Sequence, residues 1–177
     1  LDAFRVLPLF GALPLEQQGA ALSDADPAGP RRIVLATSIA ESSLTIRGVR
    51  VVVDCGLRRA SVYDANTGMS SLVTRPISQS SAEQRAGRAG RVAAGTCIRL
   101  WSESEHRRLP SQAAPAITEA DLASTALQLA RWGCVSESQV GDLPWLSPPP
   151  EHAMRRARAL LFRLGAFAPV GGGPAAL

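Results

Sequence analysis

The chain contains no lysine. All nineteen of its basic residues are Arg, set against fifteen Asp and Glu, for a net charge of +4. Every cationic contact must therefore be made by a planar guanidinium, whose fork of donors fits phosphate and carboxylate oxygens. No run approaches about 18 consecutive apolar residues, so no segment reads as a membrane-spanning helix. Metal-ligand residue types are scarce. His106 and His152 stand alone, and Cys55, Cys97 and Cys134 lack any CxxC spacing. That scattered, odd set argues against a zinc site or a disulfide framework, and for three reduced, mostly buried thiols in a cytosolic protein. No metal site is expected among these residues. With 46% hydrophobic and 19% charged residues, the chain can bury a core and is not a disordered polyelectrolyte. It opens Leu1-Asp2-Ala3, with neither Met nor the pattern of a secretory leader, and reads as a cut from something longer.

What is present alternates, over the first hundred residues, between short apolar runs and helix-like stretches. Residues 6–10 (VLPLF) read as a strand, broken at Gly11 and followed by a helix start with Pro14 at an early position. Turn chemistry fills 24–30 (DADPAGP), a strand follows at 33–36, and 37–44 can hold a short helix. The near-continuous Val of 49–54 (VRVVVD) predicts a strand buried on both faces, as in a parallel sheet covered by helices. Polar-apolar alternation at 60–64 and 70–75 flanks Ala65-Asn66-Thr67-Gly68, a β-hairpin with Gly at a positive-φ position. Helix resumes near Ser80, with Ser80 or Ser81 as cap and Glu83 in the first turn, and a strand follows at 96–101. The fold class is α/β: a doubly wound parallel sheet flanked by helices, with one inserted hairpin.

After Pro110 the alternation stops. Helical spacing runs from Thr118, as cap, to Trp132, with Gly133 as the stop. A Pro-rich linker at 143–150 leads into an amphipathic helix at 151–164, and 171–174 (GGGP) forms a flexible tail. Domains are expected at 1–110, 111–150 and 151–177. Trp101, Trp132 and Trp145, at element ends, read as core anchors more than as base-stacking platforms, and His106 as a surface residue of a short helix.

Two stretches carry chemistry. In 84–91 (QRAGRAGR), helical spacing puts Gln84, Arg88 and Arg91 on one face, with Arg85 pointing elsewhere. An amide and two guanidiniums over small Ala and Gly can approach a polyanion closely, as phosphoryl transfer requires. A solvated Arg-rich helix or a generic RNA-backbone patch would have the same spacing. Two Gly in a helix interior, at about 1 kcal/mol each, ask for some compensation. The second stretch, 36–46 (ATSIAESSLTI), packs five hydroxyls into residues 37–45 after a buried strand. Hydroxyls and backbone N–H groups at a strand's C-terminal end suit phosphates, although an ordinary capped loop has the same composition.

Together these stretches resemble motifs V and VI of the DEAH-box helicases of superfamily 2, and within them the bacterial HrpB type. Residues 7–18 (LPLFGALPLEQQ) resemble the motif IV segment, 51–84 the hairpin-bearing stretch between motifs V and VI, and 101–110 (WSESEHRRLP) the segment after motif VI. More loosely, 118–164 is similar to the degenerate winged helix and the start of the helical ratchet, giving an α-rich winged-helix/ratchet segment. The resemblance implies the second of two RecA-like lobes of the P-loop NTPase type, with ATP in the cleft and single-stranded or structured RNA across both. It implies an upstream RecA-like lobe of the same polypeptide as partner, no membrane, and a bacterial cytoplasmic location. The chain has neither a GxxxxGK(S/T) loop nor a DEAH sequence, so the phosphate cradle and the Mg²⁺ ligands are expected upstream.

By the same resemblance Gln84 positions the attacking water, while Arg88 and Arg91 act as arginine fingers on the β- and γ-phosphates. Ser43, Thr45, Arg47 and Gly87 lie with them at the nucleotide, Ser43 as γ-phosphate sensor. Gly11, Thr37 and Ser38 meet the RNA backbone. The hairpin serves as a wedge or strand guide, or packs against the C-terminal segments. Arg155, Arg156, Arg158 and Arg163 line the RNA path or form a solvated basic face. Three positions depart from the wider pattern: Ala21 stands where relatives stack an aromatic on adenine, Arg47 where an acid meets the ribose, and Ser38 for Asn. The leading function is the arginine-finger lobe of an ATP-dependent RNA helicase, inactive as an isolated fragment. The alternative is a non-catalytic RNA-binding module using its Arg surface for backbone contacts alone. A DNA motor of the same superfamily fits the lobe, but fits the hairpin and motif VI less well.

Overall fold

A computed structural model describes residues 4–24, 29–42, 44–91 and 93–167. Most of the expected turn at 24–30, all of the Gly-rich tail, and Ser43 lie outside them. The β-branched and apolar runs form parallel strands joined through helices. Strand β1 (Phe4–Leu9) pairs with β2 (Arg31–Ala36), Val6 opposite Ile33 and Leu9 opposite Ala36. Between them runs α1 (Leu15–Leu22), entered through Pro14 at the N-cap. Strand β3 (Val51–Asp54) pairs in parallel with β6 (Thr96–Arg99), Val53 opposite Ile98. The expected α/β class with parallel strands is what the chain adopts.

The described residues fall into two compact units, one within Leu1–Ala60 and Thr74–Ala113, the other within Ser61–Val73 and Ala114–Leu177. In the first unit, Leu7 and Leu9 of β1 meet Ala21 of α1 in a core closed by Val34, Ile39, Leu44 and Ile46. Ala21 is fully buried, so that position is packing and offers no platform for a base. The opposite face of the strands is bare. Val6, Ile33, Leu35, Val51, Val53 and Ile98 are exposed, Val53 by 62%. The Val run of β3 is thus covered on one side, not on both as its composition predicts. Successive strand side chains alternate sides, and cover among the described residues reaches only the side of Val52 and Asp54.

Strands β4 (Leu57–Asp64) and β5 (Met69–Pro76) form the expected hairpin. Asp64 organises its turn, accepting from the Asn66 amide at 2.9 Å and the Thr67 hydroxyl at 3.1 Å. Gly68, at φ 69°, supplies the left-handed position. Helix α3 (Gln79–Ala86) begins directly after β5, so its cap is Ser78 rather than Ser80 or Ser81. The Ser81 amide donates to Ser78 Oγ at 3.2 Å.

Helix α4 (Glu103–Arg108) starts with a reciprocal cap. The Ser102 amide and hydroxyl both donate to Glu105 Oε2 at 2.8 Å, and the Glu105 amide donates back to Ser102 Oγ. The Ser102 amide, then its hydroxyl, hold the Glu105 carboxyl below its ordinary pKa. A depressed folded pKa contributes to α4 fully above the unfolded value, and that contribution disappears as pH falls through the folded one. An NMR titration should show the Glu105 midpoint moving up in Ser102→Ala, which loses the hydroxyl but keeps the amide. Equal midpoints in both proteins would refute the cap.

The second unit is helical. After a 3-10 turn (Ala116–Thr118) come α5 (Ala123–Arg131), α6 (Glu137–Gly141) and α7 (Glu151–Arg163). Leu122, Ala126 and Leu129, and likewise Met154, Ala157 and Leu161, recur at three and four residues, so each set forms one stripe, and together with Val140 they make the core. That core draws on residues from both sides of 150. Helix α5 begins five residues after Thr118. The Thr118 hydroxyl is spent on Pro115 O inside the 3-10 turn, and the Asp121 carboxylate caps the new start through the Ala123 amide at 3.0 Å.

Trp145 is an anchor, its indole N–H on Val140 O at 2.7 Å, and Trp101 is half-buried under Gly56. Trp132 departs from that expectation at 76% exposure. The three thiols are free, but Cys55 is exposed and the other two half-buried, because Cys55 sits where the chain leaves β3 to turn at Gly56. No helix among the described residues is long and apolar enough to cross a membrane.

Candidate functional site

Parallel pairing puts the C-terminal ends of β1 and β2 on one edge, the usual place for ligands in an open α/β sheet. Gly11 leaves β1 there, and Thr37 and Ser38 leave β2. The Thr37 amide donates to Leu9 O at 3.0 Å, tying the two exits together. The carbonyls of Thr37 and Ser38 accept from Ala40 at 3.2 Å and Glu41 at 2.9 Å, starting the short helix α2 (Ile39–Ser42). Both side chains are exposed. Gly11 lies in an open turn, where an added Cβ would meet nothing within 4 Å.

The stretch 84–91 is not one helix. Helix α3 ends at Ala86 with Gly87 as its cap, and single turns carry on, Arg88 N to Arg85 O and Ala89 N to Ala86 O, each at 3.1 Å. Two Gly, with their high helix cost, stop what the spacing alone predicts to continue. Gly95 then holds the turn against the start of β6. A Cβ there would stand 2.2 Å from Ala89 O and 2.8 Å from Arg50 O. Gln84 is exposed on the last turn of α3, and Gly87 separates it from Arg88.

Arg88 and Arg91 both reach back to the segment after α2. Arg88 Nη1 donates to Leu44 O at 2.9 Å and its Nη2 to Glu41 O, while Arg91 Nη1 donates to Thr45 Oγ1 at 2.5 Å. Burial, and next the Arg91 charge, press the Arg88 guanidinium below its ordinary pKa, though it stays charged at neutral pH. Two like charges at one place are relieved by a polyanion, so the pair fits a chain of phosphates. The same pair disfavours a metal ion, and no group of three or more His, Cys, Asp or Glu among the described residues could hold one.

Thr45, Gly87, Arg88 and Arg91 are therefore brought together. Arg47 is not. It pairs with Asp24 at 3.3 Å, in an exposed contact worth little. Of the α7 arginines, Arg155 pairs with Glu151 at 3.5 Å and Arg158 donates to Val135 O.

Sequence reasoning missed Arg85. The spacing sets it apart from Gln84, Arg88 and Arg91, and the structure makes it a junction. Its Nε donates to Glu41 Oε2 at 3.0 Å, and its Nη1 to Asp54 Oδ1 at 2.8 Å and Leu57 O at 3.1 Å. Glu41 Oε1 also accepts from Ser81 Oγ at 2.6 Å, and Asp54 Oδ1 from the Gly56 amide at 3.0 Å. Side-chain exposure is 16% for Arg85 and 2% for Asp54. Burial alone would lower the Arg85 pKa; its bonds to Asp54 and Glu41 outweigh that and raise it. The one signal in the sequence is an Asp closing an otherwise all-Val strand, which calls for a buried cation.

The family described as helicase conserved C-terminal domain matches residues 1–93. Over 160 residues, 90% of this chain and 19% of that protein, the sequence is 43% identical to the ATP-dependent RNA helicase HrpB of Escherichia coli strain K12. It is also 43% identical, over 94% of this chain and 22% of the relative, to the probable ATP-dependent RNA helicase DHX35 homolog of Caenorhabditis elegans. The crystal structure of the Escherichia coli DEAH/RHA helicase HrpB superposes at a TM-score of 0.86 and 41% identity, over 94% of this chain and 21% of that one. The chain spans about a fifth of the length of the curated relatives it matches.

Proposed function

Since this chain belongs to the helicase conserved C-terminal domain family, with the α/β fold of its RecA-like lobe, we propose that it serves as the second motor lobe of an ATP-dependent RNA helicase of the HrpB type. ATP is the substrate, bound between this lobe and an upstream RecA-like lobe of the same polypeptide. The observation that carries this reading is the pair of guanidiniums, Arg88 and Arg91, held on the backbone and hydroxyl of residues 41–45.

In the closed site Arg88 and Arg91 exchange those internal partners for phosphoryl oxygens and neutralise charge that builds during transfer. Gln84, exposed one turn earlier, orients the attacking water. Thr45, released by Arg91, lies beside the nucleotide with Gly87 and Ser43, and Arg47 lies at the rim. Gly11, Thr37 and Ser38 at the shared strand edge hold the RNA backbone. Any Mg²⁺ ligands belong to the upstream lobe, because the residues here fit an anion and not a cation. Residues 1–110 then form the lobe, 111–150 a winged-helix-like segment and 151–177 the start of a ratchet, in a protein of the bacterial cytoplasm. RNA moves because open and closed states hold it with different affinity.

The test is ATP hydrolysis by the intact parent protein with and without RNA, beside the 1–177 polypeptide. RNA-stimulated turnover by the parent and none by the fragment is expected. A parent that binds RNA yet hydrolyses no ATP under either condition would leave the non-catalytic RNA-binding module in its place.

A further inference from the structure

We infer that Arg85 is the positioning residue through which RNA at Thr37 and Ser38 accelerates hydrolysis at Arg88 and Arg91, an inference that rests on the proposed function above. The ground is the way Glu41 is shared. Its amide donates to Ser38 O, its carbonyl accepts from Arg88 Nη2, and its carboxylate takes Arg85 Nε. One residue of α2 therefore touches the RNA-facing exit of β2, a finger residue, and the Arg85 junction. Arg85 touches no proposed ligand. Its Nε and Nη1 donors are taken by Glu41, Asp54 and Leu57 O, and its side chain is 16% exposed.

A planar guanidinium fixes the angles between its partners, whereas an ammonium on a flexible stem does not. With Arg85 in place, a shift of Thr37 and Ser38 under RNA load moves Glu41 against α3, the helix that also carries Gln84 and leads into Arg88. Ser81 of α3 holds the other Glu41 oxygen at 2.6 Å, so the carboxylate is gripped by α3 at both oxygens. Asp54, 2% exposed at the end of β3, anchors the far side of the junction. Without the fork, Ser81 alone holds the carboxylate, a single hydroxyl about which the Glu41 side chain can turn, so the shift reaches α3 much weakened.

The experiment uses the intact parent protein and measures ATP hydrolysis at saturating ATP, with and without poly(U) RNA. The variants are Arg85→Lys, which keeps the charge but not the fork, and Glu41→Gln, which keeps an acceptor for Ser81. RNA affinity is read by fluorescence anisotropy and folding by thermal melting; should one variant melt early, the other carries the test. The expected result is a fall in the RNA stimulation ratio by about tenfold or more. Basal hydrolysis and RNA affinity should stay within about twofold, and the double variant should be no worse than the singles, as for one shared link. An unchanged ratio in both variants overturns the inference. So does a parallel fall of basal and stimulated rates, which is what a merely structural role gives. Absence of RNA stimulation in the unsubstituted protein instead sinks the proposed function, and is seen before any substitution is made.

Discussion

Arg91→Ala in the intact parent protein is expected to lower RNA-stimulated ATP hydrolysis by about a thousandfold or more, and Arg88→Ala by a similar factor. Both guanidiniums are present before any nucleotide arrives, but they rest on neutral partners: Thr45 Oγ1 for Arg91, the carbonyls of Leu44 and Glu41 for Arg88. A neutral acceptor is readily surrendered to a phosphoryl oxygen, since an Arg–phosphate pair is bidentate and adds the attraction of opposite charges. The loss should fall on kcat far more than on KM, because the interaction strengthens as charge moves onto the phosphoryl oxygens. RNA affinity should be retained, as Gly11, Thr37 and Ser38 are untouched. If hydrolysis survives both substitutions and RNA affinity falls instead, the cluster is a backbone-binding patch. Thr45→Ala is a useful companion, since Arg91 then loses its resting partner but not its charge.

Gly95→Ala should be strongly damaging for a single added methyl. Its Cβ would lie 2.2 Å from Ala89 O, 2.6 Å from Ala89 C and 2.8 Å from Arg50 O. All three atoms are backbone, so no side chain can swing away. Either β6 loses its entry, where the Thr96 amide meets Arg50 O at 2.8 Å, or the turn that carries Arg88 is pushed off. A cost of about 3 kcal/mol or more is expected, at the upper end of overpacking. Gly19→Ala is the control. It lies in α1 with nothing within 4 Å of its Cβ, so it should stabilise by about 0.5–1 kcal/mol through helix propensity. Urea unfolding of the two variants beside the parent measures both, and equal midpoints would refute the steric reading.

The legible parts of the sequence are those set by local pattern. Gly68 after Asp64-Ala65-Asn66-Thr67 specifies the hairpin turn because only a few residue types take a left-handed φ there. The stripe of Met154, Ala157 and Leu161 specifies the buried face of α7 for the same local reason. The Arg88–Arg91 cluster is visible as a motif, and its binding partners are not. Arg88 meets Leu44 and Arg91 meets Thr45 across 44 and 46 residues of chain, a distance that no window of periodicity spans. Arg85 is hidden in the same way, with Glu41 and Asp54 lying 44 and 31 residues away. Spacing overextends the helix at 84–91 because a three-and-four pattern says where side chains would point if the helix ran on, not whether Gly87 lets it. The Val run of β3 reports a strand meant for two covered faces, whereas the described residues cover one.

That uncovered face bears on the fate of this stretch of polypeptide outside its parent. Val6, Ile33, Leu35, Val51, Val53 and Ile98 lie on short parallel ladders of two strands, so apolar surface and unpaired strand edges are offered side by side. A proteolytic product or prematurely ended chain carrying this face would be a chaperone client and a nucleus for aggregation, whatever its arginines can do. The cell's quality control, more than its energy metabolism, would be first to notice such a fragment.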